Sequence, residues 1–178
     1  SVSGAGTVKQ TDPQAIFSES VLDIGQHYQE NVYIHSKYRA EEKVILARQD
    51  GLRTNIYRIG NLTWRFKDGL FQKNSDDNGF VRRCRGLMKV GVYCSELDVF
   101  PIDFTPVDLC ASAYVKLVLN GKENQIYHML NPNMFYIKEL KNKLRCALVP
   151  KQVFEKRVLE KMPDKDVAVL SFYSAIAS

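Results

Sequence analysis

Tyr33 and Lys37 stand four residues apart in the run Tyr33-Ile34-His35-Ser36-Lys37, where the sequence enters a helical pattern. On a helix that spacing puts two side chains on one face. A phenol and an ammonium so placed can deliver a proton to a substrate oxygen. A free phenol titrates near pH ~10, and a neighbouring ammonium favours the phenolate and eases the transfer at neutral pH. Spacing alone does not decide the matter. With 9 tyrosines in the chain such a pair arises by chance, and a surface tyrosine beside a solvated lysine is its simpler reading.

Other chemistries find less support. The cysteines Cys84, Cys94, Cys110 and Cys146 make no C-x-x-C pair, and His27, His35 and His128 make no H-E-x-x-H. Zinc ligands come in close pairs from a turn or one helix face, so no metal is expected. The cysteines read as small buried hydrophobes of a reducing compartment, the cytoplasm. A formal charge of +5 on 178 residues is mildly basic, too little to name nucleic acid as the partner, and the aromatics are not set among the cations for base stacking. No run of about 18 apolar residues exists, so no membrane helix is expected. The longest candidate, Val167 to Ala177, is interrupted by Ser171, Tyr173 and Ser174.

The elements that must position the pair follow from periodicity and turn chemistry. A helix is expected from about Ser36 to Gln49, with Ala40, Val44 and Ala47 as its apolar stripe and Asp50-Gly51 as its end. Thr54 to Ile59 reads as a strand stopped by Gly60-Asn61. Helix, glycine turn, strand is the alternation found beside a parallel sheet. Residues 62–78 read as loop, and Asp76-Asp77-Asn78-Gly79 starts a helix from Phe80 to Lys89. Its Phe80, Cys84, Leu87 and Met88 are expected inward. Arg82, Arg83, Arg85 and Lys89 are expected outward, with no acid nearby. An extended stretch over 99–106, a helix from Val107 to Leu119 with Asp108 in its first turn, and a strand from Gln125 to Leu130 complete the α/β pattern. From Met134 onward two or three lysine-rich helices are expected. Trp64 and Phe66, flanking Arg65, read as core more readily than as the lining of a substrate or pantetheine channel, and His128 reads as a satisfied, half-buried histidine.

The wider string sharpens the first pair. Phe17-Ser18-Glu19, Asp23-Ile24-Gly25-Gln26 and Asn31-Val32-Tyr33-Ile34-His35-Ser36-Lys37-Tyr38-Arg39-Ala40-Glu41 resemble the catalytic segment of extended short-chain dehydrogenases/reductases. The resemblance is strongest to the thioester reductase domains that terminate nonribosomal peptide synthetases. Tyr57-Arg58-Ile59-Gly60-Asn61 is similar to that family's strand ending beside the nicotinamide, and Asp68-Gly69 with Asn78 to the excursion that follows. Phe104-Thr105-Pro106-Val107-Asp108 resembles its P-V-D helix start, and Tyr127-His128-Met129-Leu130-Asn131-Pro132-Asn133 its late strand and loop. The likeness covers about residues 1–145.

The resemblance implies an α/β fold: an incomplete Rossmann-like parallel sheet in residues 1–131, with a substrate-side excursion at about 62–102, and a mainly helical substrate and carrier lobe in 132–178. It implies NADPH-dependent reduction of a carrier-bound acyl or peptidyl thioester to an aldehyde or alcohol. Tyr33 would then give its proton to the hemithioacetal oxygen. Lys37 would support the phenolate and bind the nicotinamide ribose, and Gly60 and Asn61 would lie beside the nicotinamide through their backbone. The implied partner is a carrier protein with its phosphopantetheine thioester, and Arg82, Arg83, Arg85 and Lys89 could dock it, or could simply be a solvated face.

Two departures qualify what the chain does alone. It holds no G-x-G-x-x-G or G-x-x-G-x-x-G, the turn that seats a pyrophosphate on a helix N-terminus. Laying Ser1-Val2-Ser3-Gly4 on the family's S-T-x-S-V-x-G segment puts the catalytic threonine two residues ahead of Ser1, and Gly4-Ala5-Gly6 reads as a turn. The expectation is the later half of a reductase domain, with the N-terminal half of the same domain as a partner and little activity by itself. A non-catalytic module that recognises carrier proteins, and an epimerase or dehydratase acting on a sugar nucleotide, remain as alternatives.

Overall fold

The computed structural model describes residues 18–20, 22–29, 31–99, 101–140 and 142–161. The expectations for residues 1–17 and 162–178, including Ser1 to Gly6 and the apolar run from Val167, lie outside the described residues.

In chain order the elements are α1 (Val32–Gln49), β1 (Ile56–Ile59), β2 (Leu62–Thr63), α2 (Gly79–Val90), β3 (Val92–Tyr93), β4 (Pro101–Ile102) and β5 (Thr105–Pro106). Then come α3 (Val107–Asn120), β6 (Ile126–Met129), β7 (Phe135–Tyr136), α4 (Ile137–Leu140), β8 (Ala147–Leu148) and α5 (Lys151–Lys161). β1 pairs in parallel with β6, Ile56 opposite Ile126 and Ile59 opposite Met129. β2 with β5 and β3 with β8 are also parallel, while β4 and β7 run antiparallel. The fold is α/β with parallel strands. Among the described residues β1 has a partner on one edge only.

α1 begins four residues before the start that its apolar stripe suggests. The Asn31 side chain accepts hydrogen bonds from the N–H groups of Tyr33 and Ile34, both at 3.1 Å, and so satisfies donors the helix cannot. Periodicity is blind to such a cap. The buried positions on α1 are Tyr38 and Glu41 rather than the alanines. Tyr38 stacks on Tyr28 with ring centroids 3.7 Å apart. At the far end Gly51 N–H reaches Arg48 O at 3.0 Å and Leu52 N–H reaches Ala47 O at 3.1 Å. This is a Schellman closure, and it needs the left-handed φ of +85° that Gly51 supplies.

The chain divides into two compact units. One comprises residues up to Gly69 with Asp103–Pro132, and the other Leu70–Ile102 with the residues from Asn133 onward. In the second, α2 packs on α5 and both pack on β3. Leu87, Tyr93, Leu97, Ile137, Phe154 and Val158 are fully buried there. α2 turns Phe80, Gly86, Leu87 and Val90 inward, whereas Met88, expected inside, is 55% exposed. Among the described residues, the segment after Met134 holds two helices, one a short turn and the other a longer element. The two-residue strands β7 and β8, which sequence did not anticipate, interrupt it.

Burial raises the Cys84 and Cys94 thiols to about 11, so they behave as apolar groups.

Phe154 is 0% exposed and lies on the face of α5 that meets α2 and β3. Phe154→Ala should lower unfolding stability by about 3–5 kcal/mol in a denaturant titration, against little change for the exposed Val153→Ala.

Candidate active site

Tyr33 sits in the first turn of α1 and Lys37 one turn further on. The Lys37 ammonium lies 5.6 Å from the centre of the Tyr33 ring. Tyr33 is 58% exposed, so its phenol is open to a ligand. Lys37 also lines a cleft of about 520 Å³, between the Lys37–Val44 face of α1 and residues 55–60, that reaches Gly60 and Leu62. The structure thus brings Lys37 and Gly60 to one cleft at the C-terminal end of a parallel strand, while Tyr33, beside Lys37, and Asn61 are not among the residues that line it. Open α/β sheets take their ligands at such ends.

A buried ion pair fixes α1 against β1. Arg58, in β1, donates from Nε to Glu41 Oε1 at 2.9 Å, and its Nη2 reaches the same oxygen. The side chains are only 4% and 8% exposed. Arg58 Nη1 donates to the Ser18 carbonyl at 2.7 Å and to His128 Nε2 at 2.9 Å. Because a guanidinium only donates, His128 Nε2 must accept, which places the imidazole proton on Nδ1. Burial first, and then the Arg58 charge, hold His128 below the ordinary histidine range, with Glu19 and Glu41 opposing. Glu19 Oε1 accepts the backbone N–H of His128 at 2.5 Å. Glu41 is one turn beyond Lys37 on the same helix. Its Oε1 is committed to Arg58.

A second network closes the strand end. Gly60 N–H donates to Met129 O at 2.9 Å, and Asn61 N–H to Asp103 Oδ2 at 2.7 Å. Thr105 Oγ1 donates to Asp103 Oδ1 at 2.8 Å and accepts from Asn131 N–H at 3.0 Å. A Cβ at Gly60 would collide with Asp103 Oδ2 and come within 2.7 Å of Thr105 Oγ1. Only glycine lets β1 end this close to the Asp103 segment.

The α2 cations lie in the other compact unit. Arg85 forms an ion pair with Asp76, a correction to the expectation of no nearby acid; the intervening turn hides the pairing from sequence. Arg82 and Arg83 are half-buried, and Lys89 is exposed. Trp64 and Phe66, expected in the core, are 38% and 75% exposed. Sequence reasoning gave no site role to Glu41, Arg58, Asp103 or Asp108, although it quoted Glu41 and Arg58 within motifs and Asp108 as a helix start. The D-x-T-P-V-D string was the available signal for the last two, and Glu41, one turn after Lys37, for the first.

The residues present fit the nicotinamide-ribose end of a dinucleotide: an exposed phenol–ammonium pair beside a cleft that reaches the end of a parallel strand. No glycine-rich strand–turn–helix for a pyrophosphate occurs among the described residues. Among them, too, no group of three or more His, Cys, Asp or Glu is placed to hold a metal, and no helix is long and apolar enough to cross a membrane.

These features describe an α/β fold of parallel strands with an exposed tyrosine–lysine pair near a strand end, and comparison with known proteins places that fold. The male sterility protein family, a family of NAD-binding domains, matches residues 6–114, and the chain belongs to it. It is 34% identical to a linear gramicidin synthase of Brevibacillus parabrevis over 104 residues, 57% of this chain and 2% of that protein. It is similar to the reductase domain of the aureusimine biosynthetic cluster, with a TM-score of 0.79 and 26% identity over 94% of this chain and 45% of that one. A thiolation-reductase di-domain from an archaeal nonribosomal peptide synthetase shares the fold, with a TM-score of 0.77 and 23% identity over 95% of this chain and 37% of that one. The chain therefore spans less than half the length of these relatives. The resemblance to the reductase domains of peptide synthetases holds.

Gly60→Ala should force Asp103 and Thr105 aside and cost about 1–3 kcal/mol, whereas Gly79→Ala, with open space around it, should stay within about 0.5 kcal/mol. Thermal denaturation of the two variants checks this.

Proposed function

We propose that this chain acts as part of an NADPH-dependent thioester reductase that releases a carrier-bound acyl or peptidyl group as an aldehyde or alcohol. The observation that carries the reading is the exposed Tyr33–Lys37 pair on α1, beside the cleft that ends at Gly60. Tyr33, Lys37 and the Gly60–Asn61 backbone would hold the nicotinamide and its ribose, and the cofactor would supply hydride when bound.

Reduction of a thioester carbonyl places negative charge on its oxygen. Tyr33, open to solvent and one turn from the ammonium, is positioned to give that oxygen its phenolic proton. Lys37 stabilises the phenolate left behind. The buried Arg58–Glu41 pair keeps α1 in register with the strand end, so that donor and backbone face one ligand. The carrier protein and its phosphopantetheine arm are the proposed partner, and a cytoplasmic location fits four free cysteines, two of them buried. Arg82, Arg83, Arg85 and Lys89 offer positive charge to an acidic carrier, with Arg85 shared with Asp76.

In the intact reductase domain Tyr33→Phe should lower thioester-dependent NADPH oxidation by about 100-fold or more while changing the Kd for NADPH less than about twofold. Turnover close to that of the unaltered domain would contradict the assignment.

A further inference from the structure

The string Asp103-Phe104-Thr105-Pro106-Val107-Asp108 sets a carboxylate on either side of β5. Both carboxylates receive backbone N–H groups from the segment that leaves β1. Asp103 Oδ2 accepts from Asn61 at 2.7 Å. Asp108 Oδ1 accepts from Phe66 at 2.8 Å, and its Oδ2 from Lys67 at 3.2 Å. Between these anchors β2 lies along β5, Leu62 opposite Thr105 and Thr63 opposite Pro106. Beyond them Arg65 Nε donates to Asp68 at 2.9 Å, and Gly69 N–H returns to Arg65 O at 2.9 Å. Residues 61–69 are therefore pinned along their length. The Phe66 N–H above all holds the Asp108 carboxyl below the ordinary aspartate range, so it remains an acceptor throughout the neutral region.

What is pinned is apolar. Phe66 is 75% exposed and Trp64 38%, the indole lying 5.8 Å from the Phe104 ring between centres. A loose loop would fold such rings away from water, because burying a phenylalanine is worth about 1.5–3 kcal/mol. Here the backbone is fixed so that Phe66 stays outside, and Arg65 between the two rings is paired with Asp68. Leu62, 40% exposed, precedes them in the same alternation, so three apolar side chains stand open along one pinned segment and make a surface suited to an apolar ligand. Its first residue, Leu62, lines the cleft at the end of β1, and Trp64 and Phe66 continue from there.

We infer that Asp103 and Asp108 are positioning residues that hold Trp64 and Phe66 as an apolar wall for the acyl portion of the substrate. The inference rests on the thioester-reductase reading of the adjoining cleft, and it adds a preference: apolar acyl groups over charged ones.

Trp64 is the single tryptophan of the chain, so its fluorescence reads the wall directly. The full chain is titrated with octanoyl-N-acetylcysteamine and, separately, with succinyl-N-acetylcysteamine. The octanoyl thioester should give a saturable blue shift and the succinyl thioester none. Phe66→Ala should weaken octanoyl binding about tenfold. Asp108→Ala should weaken it about as much and speed amide hydrogen exchange at Phe66 and Lys67. Asp108→Asn, which keeps one acceptor oxygen, should weaken it about threefold. Should Asp108→Ala fail to fold by circular dichroism, Asp108→Asn carries the comparison. No saturable shift, an equal shift with both thioesters, or unaltered affinity in a folded Asp108 variant overturns the inference. Octanoyl binding with no thioester-dependent NADPH oxidation in the intact domain would end the reductase reading and leave the wall standing. Reduction of both thioesters with a silent Trp64 would end the wall alone.

Discussion

A guanidinium removed from water costs several kcal/mol unless its donors are met and its charge is balanced. Arg58 is removed from water in the middle of β1, and each partner it finds comes from a different stretch of chain: Glu41 from α1, the Ser18 carbonyl from the segment before it, and His128 from β6. The demand of one buried cation thus ties the helix that carries Tyr33 and Lys37 to the parallel pair that ends at Gly60. A hydrophobic contact in the same place could slide by a fraction of a turn. A charge with fixed donor directions cannot, and that fixes the phase of α1, which decides where the phenol points.

The strand end is finished by the same kind of demand on a smaller scale. Backbone N–H groups leaving a strand need acceptors, and Asp103 and Asp108 supply them to Asn61, Phe66 and Lys67. Glycine at position 60 is the steric counterpart, since any side chain would occupy the space where Asp103 sits. The Tyr33–Lys37 helix, the strand end and the aromatic segment are therefore held by carboxylates, of which Glu41 alone among Glu41, Asp103 and Asp108 lines the cleft.

Much of this was open to reading in the sequence, and what was not has physical reasons. The Tyr33–Lys37 spacing, the helix they enter, the β1 and β6 strands and the P-V-D helix start depend on local periodicity and turn chemistry, which a linear string records. The Arg58–Glu41 pair joins residues in different elements, and opposite charges at such a separation have no local signature. Trp64 and Phe66 were assigned to the core because aromatics usually are; only the hydrogen bonds from their loop to Asp108 show why they stay outside. Arg85 found an acid across a turn at Asp76. The strands β2, which falls in the stretch 62–78 expected as loop, β3, β7 and β8 are two residues each, too short for alternation to declare itself.

The placement of α1 depends on the buried pair, and a double-mutant cycle on Glu41 and Arg58 tests that most directly. Unfolding free energies would be measured for Glu41→Gln, Arg58→Met and the two together. Each single change should cost about 3–5 kcal/mol by stranding a buried partner, and the double change should cost clearly less than the sum, a coupling of at least about 2 kcal/mol. Additive losses, or single changes within about 0.5 kcal/mol of the unaltered chain, would show that Arg58 does not hold α1 in place.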